Sequence, residues 1–247
     1  MARGRNVAVV VLLLLAGCQG FESRGGETVA PAPVPTASGE TTTDPAAIAE
    51  RHRQALDNRS YTTTVVLTVE YDNGTTAWLT DEFAVGSDGA YRYQRRVRDP
   101  YPQGVSNFTI WQNRSTEFRR ETAENGTTTV AVGDGTGFED LSLSGFLRRV
   151  LRGFDLTAAQ ANGQTQLTGQ QTGPLTVPLP TALHDGDDGA LDAEIRDGIV
   201  RSTTVDAQAD HHDSGQSVTV RMRFTVRRVG QTDPSRPTWA TESNAGG

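Results

Sequence analysis

The sharpest pattern in the chain is an alternation near its C-terminus. Val218, Val220, Met222, Phe224 and Val226 are interleaved with Thr219, Arg221, Arg223, Thr225 and Arg227. A period of two with one apolar and one basic face predicts a half-buried strand. The same period opens at Tyr61, where Val65, Leu67, Val69 and Tyr71 face one way and Thr62, Thr64, Thr68 and Glu70 the other. Asn73-Gly74 is a hairpin signal, and Ala77, Leu79, Phe83 and Val85 continue the alternation on the returning strand. Ser87-Asp88-Gly89 turns the chain into Tyr91 and Tyr93. Phe108 and Ile110, Ser115 to Glu121, and Thr127 to Val132 then complete six predicted antiparallel strands. Weaker strand patterns follow at Gln164 to Thr168 and Leu175 to Val177. A stronger one lies at Leu191, Ala193 and Ile195, with Asp197-Gly198 turning into Ile199 to Ala207.

Two segments change the period. Asp44-Pro45 reads as helix N-cap and first helical residue ahead of Ala46 to Leu56, with Ile48, His52, Ala55 and Leu56 on roughly one face. Leu143, Phe146, Leu147, Val150, Leu151 and Phe154 recur at intervals of three and four, with Arg148, Arg149 and Arg152 outside the stripe. That stripe predicts a core helix packed on the sheet rather than a helix lying on a membrane. The expected fold class is therefore α+β, a curved antiparallel sheet covered by a few helices. Trp239, after Pro234 and Pro237 end the last strand, is expected to close one edge.

The N-terminus has a different logic. Arg3 and Arg5, the apolar run Val7 to Leu15 and the small residues before Cys18 form the three zones of an export signal, and Leu15-Ala16-Gly17-Cys18 matches a lipobox. The apolar run is shorter than the ~20 residues that span a hydrocarbon core. Gly4 separates the two arginines, which favours the general secretory route over twin-arginine export. The expected organisation is a lipoprotein signal peptide at 1–17, a lipid anchor at Cys18 with a disordered tether over 18–43, a β domain at 44–240 and a disordered tail at 241–247. Pro31, Pro33, Pro35 and Thr41-Thr42-Thr43 give the tether its composition. The protein is thus expected to be exported, anchored to the cell membrane by the lipid on Cys18 and facing outward.

Composition narrows the setting. Every one of the 23 basic residues is arginine, there is no lysine, and the net charge is −7. This acidic, threonine-rich chain resembles the exported proteins of haloarchaea, where near-molar salt shrinks the Debye length to about 3 Å and carboxylate repulsion fades. Codon bias in a high-GC bacterium also replaces lysine by arginine. With either origin, so acidic a net charge argues against nucleic acid as a partner. Cys18 is the only cysteine, so an intramolecular disulfide is excluded.

The order of lipobox, short helix ending before Ser60-Tyr61-Thr62, antiparallel meander, mid-chain helix and terminal strand running into Arg236-Pro237-Thr238-Trp239 resembles the LolA-like superfamily, and in particular haloarchaeal lipoproteins related to it. The resemblance covers most of Asp44 to Trp239 and includes no catalytic signature. It implies an incomplete β-barrel closed by helices, with an apolar interior that holds the acyl chains of lipids or lipoproteins. In a curved sheet, Leu67, Val69, Leu79, Phe83, Tyr91, Tyr93, Phe108, Val220, Met222 and Phe224 point inward against Phe146, Leu147, Val150 and Leu151. These residues either fill the interior or line an apolar cavity. The expected function is a non-catalytic domain that binds lipid or another apolar ligand. The alternatives are an envelope interaction module with a filled core and, with least support, a hydrolase.

Other chemistry is thin. His211-His212-Asp213 lacks converging ligands, and His184 with Asp185, Asp187, Asp188 and Asp192 lacks the order of a calcium loop, so no metal is expected. The glycines at 133, 135 and 137 have no lysine to complete a phosphate loop. Neither G-x-S-x-G, H-E-x-x-H nor S-x-x-K occurs, and no cofactor or enzyme activity is expected. Five N-x-S/T sequons, at Asn58, Asn73, Asn107, Asn113 and Asn125, use five of the eight asparagines, and modification of at least one is expected. Asn73 and Asn125, each followed by glycine, also suit left-handed turn geometry.

Overall fold

The computed structural model describes residues 43–98, 107–123, 126–135, 137–173, 183–184, 188–211 and 217–242. Cys18, the signal, the tether, Asn125 and the Leu175 to Val177 pattern lie outside these residues.

Helix α1 (Pro45–Leu56) begins as its sequence dictates: Asp44 accepts a hydrogen bond from the Ala46 amide at 3.0 Å, and Pro45 occupies the first turn. It buries Ile48, Ala49, His52 and Leu56. Strands β1 (Tyr61–Tyr71), β2 (Thr76–Val85), β3 (Tyr91–Arg98), β4 (Asn107–Gln112), β5 (Thr116–Thr122) and β6 (Thr128–Asp134) then form the expected meander. After α2 (Ser144–Arg152) come β7 (Phe154–Ala161), β8 (Gln164–Gln171), β9 (Leu183–His184), β10 (Ala190–Arg196), β11 (Ile199–His211) and β12 (Ser217–Arg227), and finally the short α3 (Thr238–Glu242).

The strands make one open, curved antiparallel sheet in the order β6-β5-β4-β3-β2-β1-β12-β11-β10-β8-β7, with β9 beside β11. The first and last long strands meet at its centre, where Val65 faces Phe224, Leu67 faces Met222 and Val69 faces Val220. The ends, β6 and β7, do not pair with each other. Helices α1 and α2 pack together, α1 against β11 and α2 against β7, so the helical cover lies over the β7 half of the sheet. The inner face beneath them carries one apolar core that runs from Leu167 and Leu191 across Phe224 to Tyr93 and Ile110.

Three expectations need correction. Phe154 does not close the helical stripe: α2 stops at Arg152, Gly153 follows, and Phe154 starts β7 with its ring in the same core. Leu143 is the N-cap of α2 in a left-handed conformation (φ 58°), with Asp140 supplying the side-chain acceptor for the helix start. Trp239 does not close an edge. It lies with α3 over the outer face, packed against Trp111 and Phe118.

Candidate functional site

All fourteen residues expected on the inner face join the same core. Phe108 and Phe146 are partly buried and the other twelve buried. At the centre, Leu67, Leu147, Leu151, Val220, Met222 and Phe224 are 0% exposed, so neither solvent nor a void large enough for a water touches them. The alternation along β1, β12 and α2 fixes this placement, since each side chain reaches the interior by its strand parity or helical stripe.

Beyond the helices the inner face becomes aromatic. Phe83 and Tyr93, paired across β2 and β3, stack at 4.3 Å between ring centroids. Phe108 meets Tyr93 edge-on at 5.3 Å. Phe138, in the segment between β6 and α2, stands edge-on to Phe83, Tyr91 and Tyr93 at 5.3, 5.8 and 5.1 Å. Its ring is nevertheless 41% exposed. The result is an aromatic lip, closed below and open to solvent above.

Charge enters this face where the alternation of Leu79 and Phe83 passes over Asp81. The Arg95 guanidinium donates to both Asp81 oxygens, at 2.7 Å each, and the Tyr93 hydroxyl donates to Oδ1 at 2.9 Å. Burial pushes the Tyr93 phenol up, and the Asp81 charge adds to the effect. The hydrogen bonds to Asp81 hold Arg95 firmly protonated against the cost of its own burial. Arg95 also lies 5.8 Å from the Phe108 ring centre and Arg119 5.0 Å from it. Asp81 and Arg95 escape a reading of apolar positions alone, although a charged residue in register with Leu79 and Phe83 is the available signal.

A second, polar concavity of about 330 Å³ lies where α1 ends, between Arg59, Tyr61, the turn from Val85 to Gly89, Arg114 and Asp140. Asp140 is engaged there: it accepts from the Gly145 amide at 2.8 Å and the Ser144 hydroxyl at 2.9 Å, and also from Ser142. Burial alone would raise its pKa, yet these hydrogen bonds outweigh it and hold the carboxyl below its ordinary value.

His52 is fully buried beneath the helices. Its Nδ1 accepts from the Val200 amide at 3.1 Å, which leaves Nε2 to donate to the Ser142 carbonyl at 3.0 Å. Both nitrogens are thus committed to a neutral ring. Burial lowers its pKa to about 4.

The remaining candidates separate. The backbone ladder sets His184 opposite Asp210 and Leu183 opposite His211, so two motifs distant in sequence share one pair of strands. His212 and Asp213 lie outside the described residues. Among the described residues, no three His, Cys, Asp or Glu side chains converge as a metal site. Asn58, Asn73 and Asn107 are exposed and Asn113 half-buried. Asn73, Asn107 and Asn113 each use Oδ1 to accept a backbone amide, which leaves Nδ2 outside those bonds. In the turn after β1 the left-handed residue is Gly74 (φ 78°), whereas Asn58, at the end of α1, is itself left-handed (φ 55°).

No family model matches the chain, and no curated protein does. Solved structures similar to it include LprF from Mycobacterium bovis, 12% identical, covering 79% of this chain and 98% of that one with a TM-score of 0.38. A DUF1329 family protein from Desulfovibrio piger is 10% identical over 81% of this chain and 97% of its own, with a TM-score of 0.30. A LolA superfamily protein from Nitrosomonas europaea is 7% identical over 75% and 92%, with a TM-score of 0.26. Likeness at this level assigns no residue of this chain a role.

Proposed function

We propose that the chain is a non-catalytic envelope lipoprotein, held to the membrane by lipid on Cys18, whose domain takes an apolar ligand, a lipid or the acyl part of another lipoprotein, on the inner face of its sheet. The observation that carries the reading is the aromatic lip. A phenylalanine ring that is 41% exposed forgoes part of the roughly 1.5–3 kcal/mol that full burial provides, and an apolar ligand laid over it recovers that share. The ligand belongs at Phe83, Tyr93, Phe108 and Phe138, beyond the filled centre. Arg95 and Arg119 beside Phe108 suit the polar head of an amphiphile. Glycans on at least one of the exposed sequon asparagines belong to the same exported setting.

Native mass spectrometry of the full chain carrying Cys18→Ser tests the ligand. Bound lipid, or uptake of an added fatty acid or phospholipid that Phe138→Asp reduces, supports the proposal. A chain that carries no lipid and takes up none favours instead an interaction module with a filled core, the reading to which the fully buried centre around Phe224 lends weight. Anchoring is tested separately by fractionating cells. Cys18→Ser is expected to leave the membrane fraction, and a variant that stays there as firmly as the parent defeats the lipid anchor.

A further inference from the structure

Sheets commonly protect their edges with charges, prolines, bulges or a covering element. Here β7 has α2 packed against it, whereas among the described residues β6 carries no proline, bulge or packed helix, and its one charge stands at its end. Its sequence, Thr-Thr-Val-Ala-Val-Gly-Asp, is uncharged until Asp134, contains no proline and pairs with β5 in unbroken register from Thr116↔Asp134 to Thr122↔Thr128. All seven residues are exposed, with Val130 at 43% and Val132 at 51%.

The direction of the free backbone groups follows from the hairpin. The Ala123 amide donates to the Thr127 carbonyl, so alternation along the ladder turns Thr129, Ala131 and Gly133 toward β5. Thr128, Val130, Val132 and Asp134 then present their N–H and C=O groups outward. We infer that β6 pairs with β6 of a second copy of this chain, antiparallel about a two-fold axis through Ala131, to make a continuous sheet across a symmetric dimer.

The argument for a second copy is the strand's complementarity to itself. With the axis at Ala131, Val130 lies opposite Val132 of the other copy in both halves, and Thr128 opposite Asp134. Every residue with outward backbone groups meets another of the same kind, giving about eight hydrogen bonds. Four valines form one apolar cluster on the outer face, continuous with Phe118, which pairs with Val132 inside each copy. The inner face of the seam brings together only Thr129, Ala131 and Gly133, and no like charges oppose. Each copy carries a net charge of −7, so repulsion opposes association and salt favours it. A seam of seven residues is small, and the dimer is correspondingly weak.

Sedimentation equilibrium of the full chain with Cys18→Ser, over a range of concentration and salt, reads the association. The expected result is a monomer–dimer equilibrium that tightens with salt. V130K with V132K places like charges across both halves of the seam and raises the dimer dissociation constant by at least about tenfold. V130E with V132K places opposite charges there, and dimerisation returns. Both positions are exposed, so the fold and melting temperature stay those of the parent. Ala131→Cys adds a geometric readout, because residues opposed in a non-hydrogen-bonded pair have Cα atoms ~4.5 Å apart and can form a disulfide across the axis. A chain that is monomeric up to ~1 mM with no Ala131→Cys cross-link overturns the inference. So does a dimer indifferent to V130K/V132K, or one in which V130E/V132K behaves like V130K/V132K.

Discussion

His52 shows how much one side chain can be asked to do without chemistry. Its ring joins α1 to the Ser142 carbonyl and to the Val200 amide at the start of β11, and sits edge-on to Phe224 at 5.9 Å. With the folded pKa near 4 against an ordinary 6.5, protons prefer the unfolded chain. Its contribution is constant above pH 6.5, and stability then falls as pH drops toward 4, by on the order of 3 kcal/mol in all. Urea unfolding of the parent and His52→Gln at pH 7 and pH 4.5 isolates this slope: the parent should lose about 2–3 kcal/mol more than the variant. Equal losses would exclude His52 as the source. Asp81 makes a second residue-scale prediction. Asp81→Ala leaves the Arg95 fork and the Tyr93 hydroxyl unmatched on a largely apolar face. The cost should be about 2–3 kcal/mol, below that of a fully buried pair because the Arg95 side chain is 28% exposed. Replacing both members, as Asp81→Leu with Arg95→Met, should cost less in the same denaturation experiment. Neither role is written in the neighbouring sequence. A histidine on an apolar helix face announces burial, but its two partners come from residues 90 and 148 positions away.

At the scale of elements, the period of two identifies β1, β2 and β12 because each alternates a buried with a more exposed face along most of its length. Two strands escaped the sequence reading, the two-residue β9 and β7, and β7 begins at Phe154, which falls on the three-and-four spacing of the helix before it. Yet the hairpin that follows has a strong local signal: Asn162 (φ 53°) and Gly163 (φ 75°) form the two-residue turn between β7 and β8, and Asn-Gly is the pair best suited to it. Replacing both by alanine should cost about 1–2 kcal/mol, read as a lower urea midpoint, because alanine has no ready access to either conformation. The start of α2 is similarly local in cause and obscure in sequence. The cap comes from Asp140, three residues before the left-handed Leu143. Asp140→Ala should destabilise by about 1 kcal/mol in thermal melts, the usual worth of a helix cap; an unchanged melting temperature would deny it that role.

For the whole molecule, the decisive contacts are between the chain's distant parts. The segment after β12 crosses to the outer face, where the Trp111 indole donates to the Pro234 carbonyl at 2.8 Å and the Arg236 guanidinium lies 4.4 Å from the Phe118 ring centre. Ending the chain at Asp233 should uncover Trp111 and Phe118, lower the melting temperature by several degrees and increase binding of an apolar dye. If the truncated chain melts like the parent, the segment is ornament. By itself the sequence determined most of the strands, though not β7 or β9, the two longer helices, the inner parity of Leu67, Phe83 and Phe224, and the expectation of an acylated Cys18, because periodicity and short motifs are local properties. Only the tertiary structure decided that β1 and β12 meet at the centre, that Asp81 finds Arg95, and that Phe138 leaves an open lip. It alone left β6 as a bare edge. Those outcomes depend on which strands become neighbours and where the helical cover stops, and no local pattern encodes either.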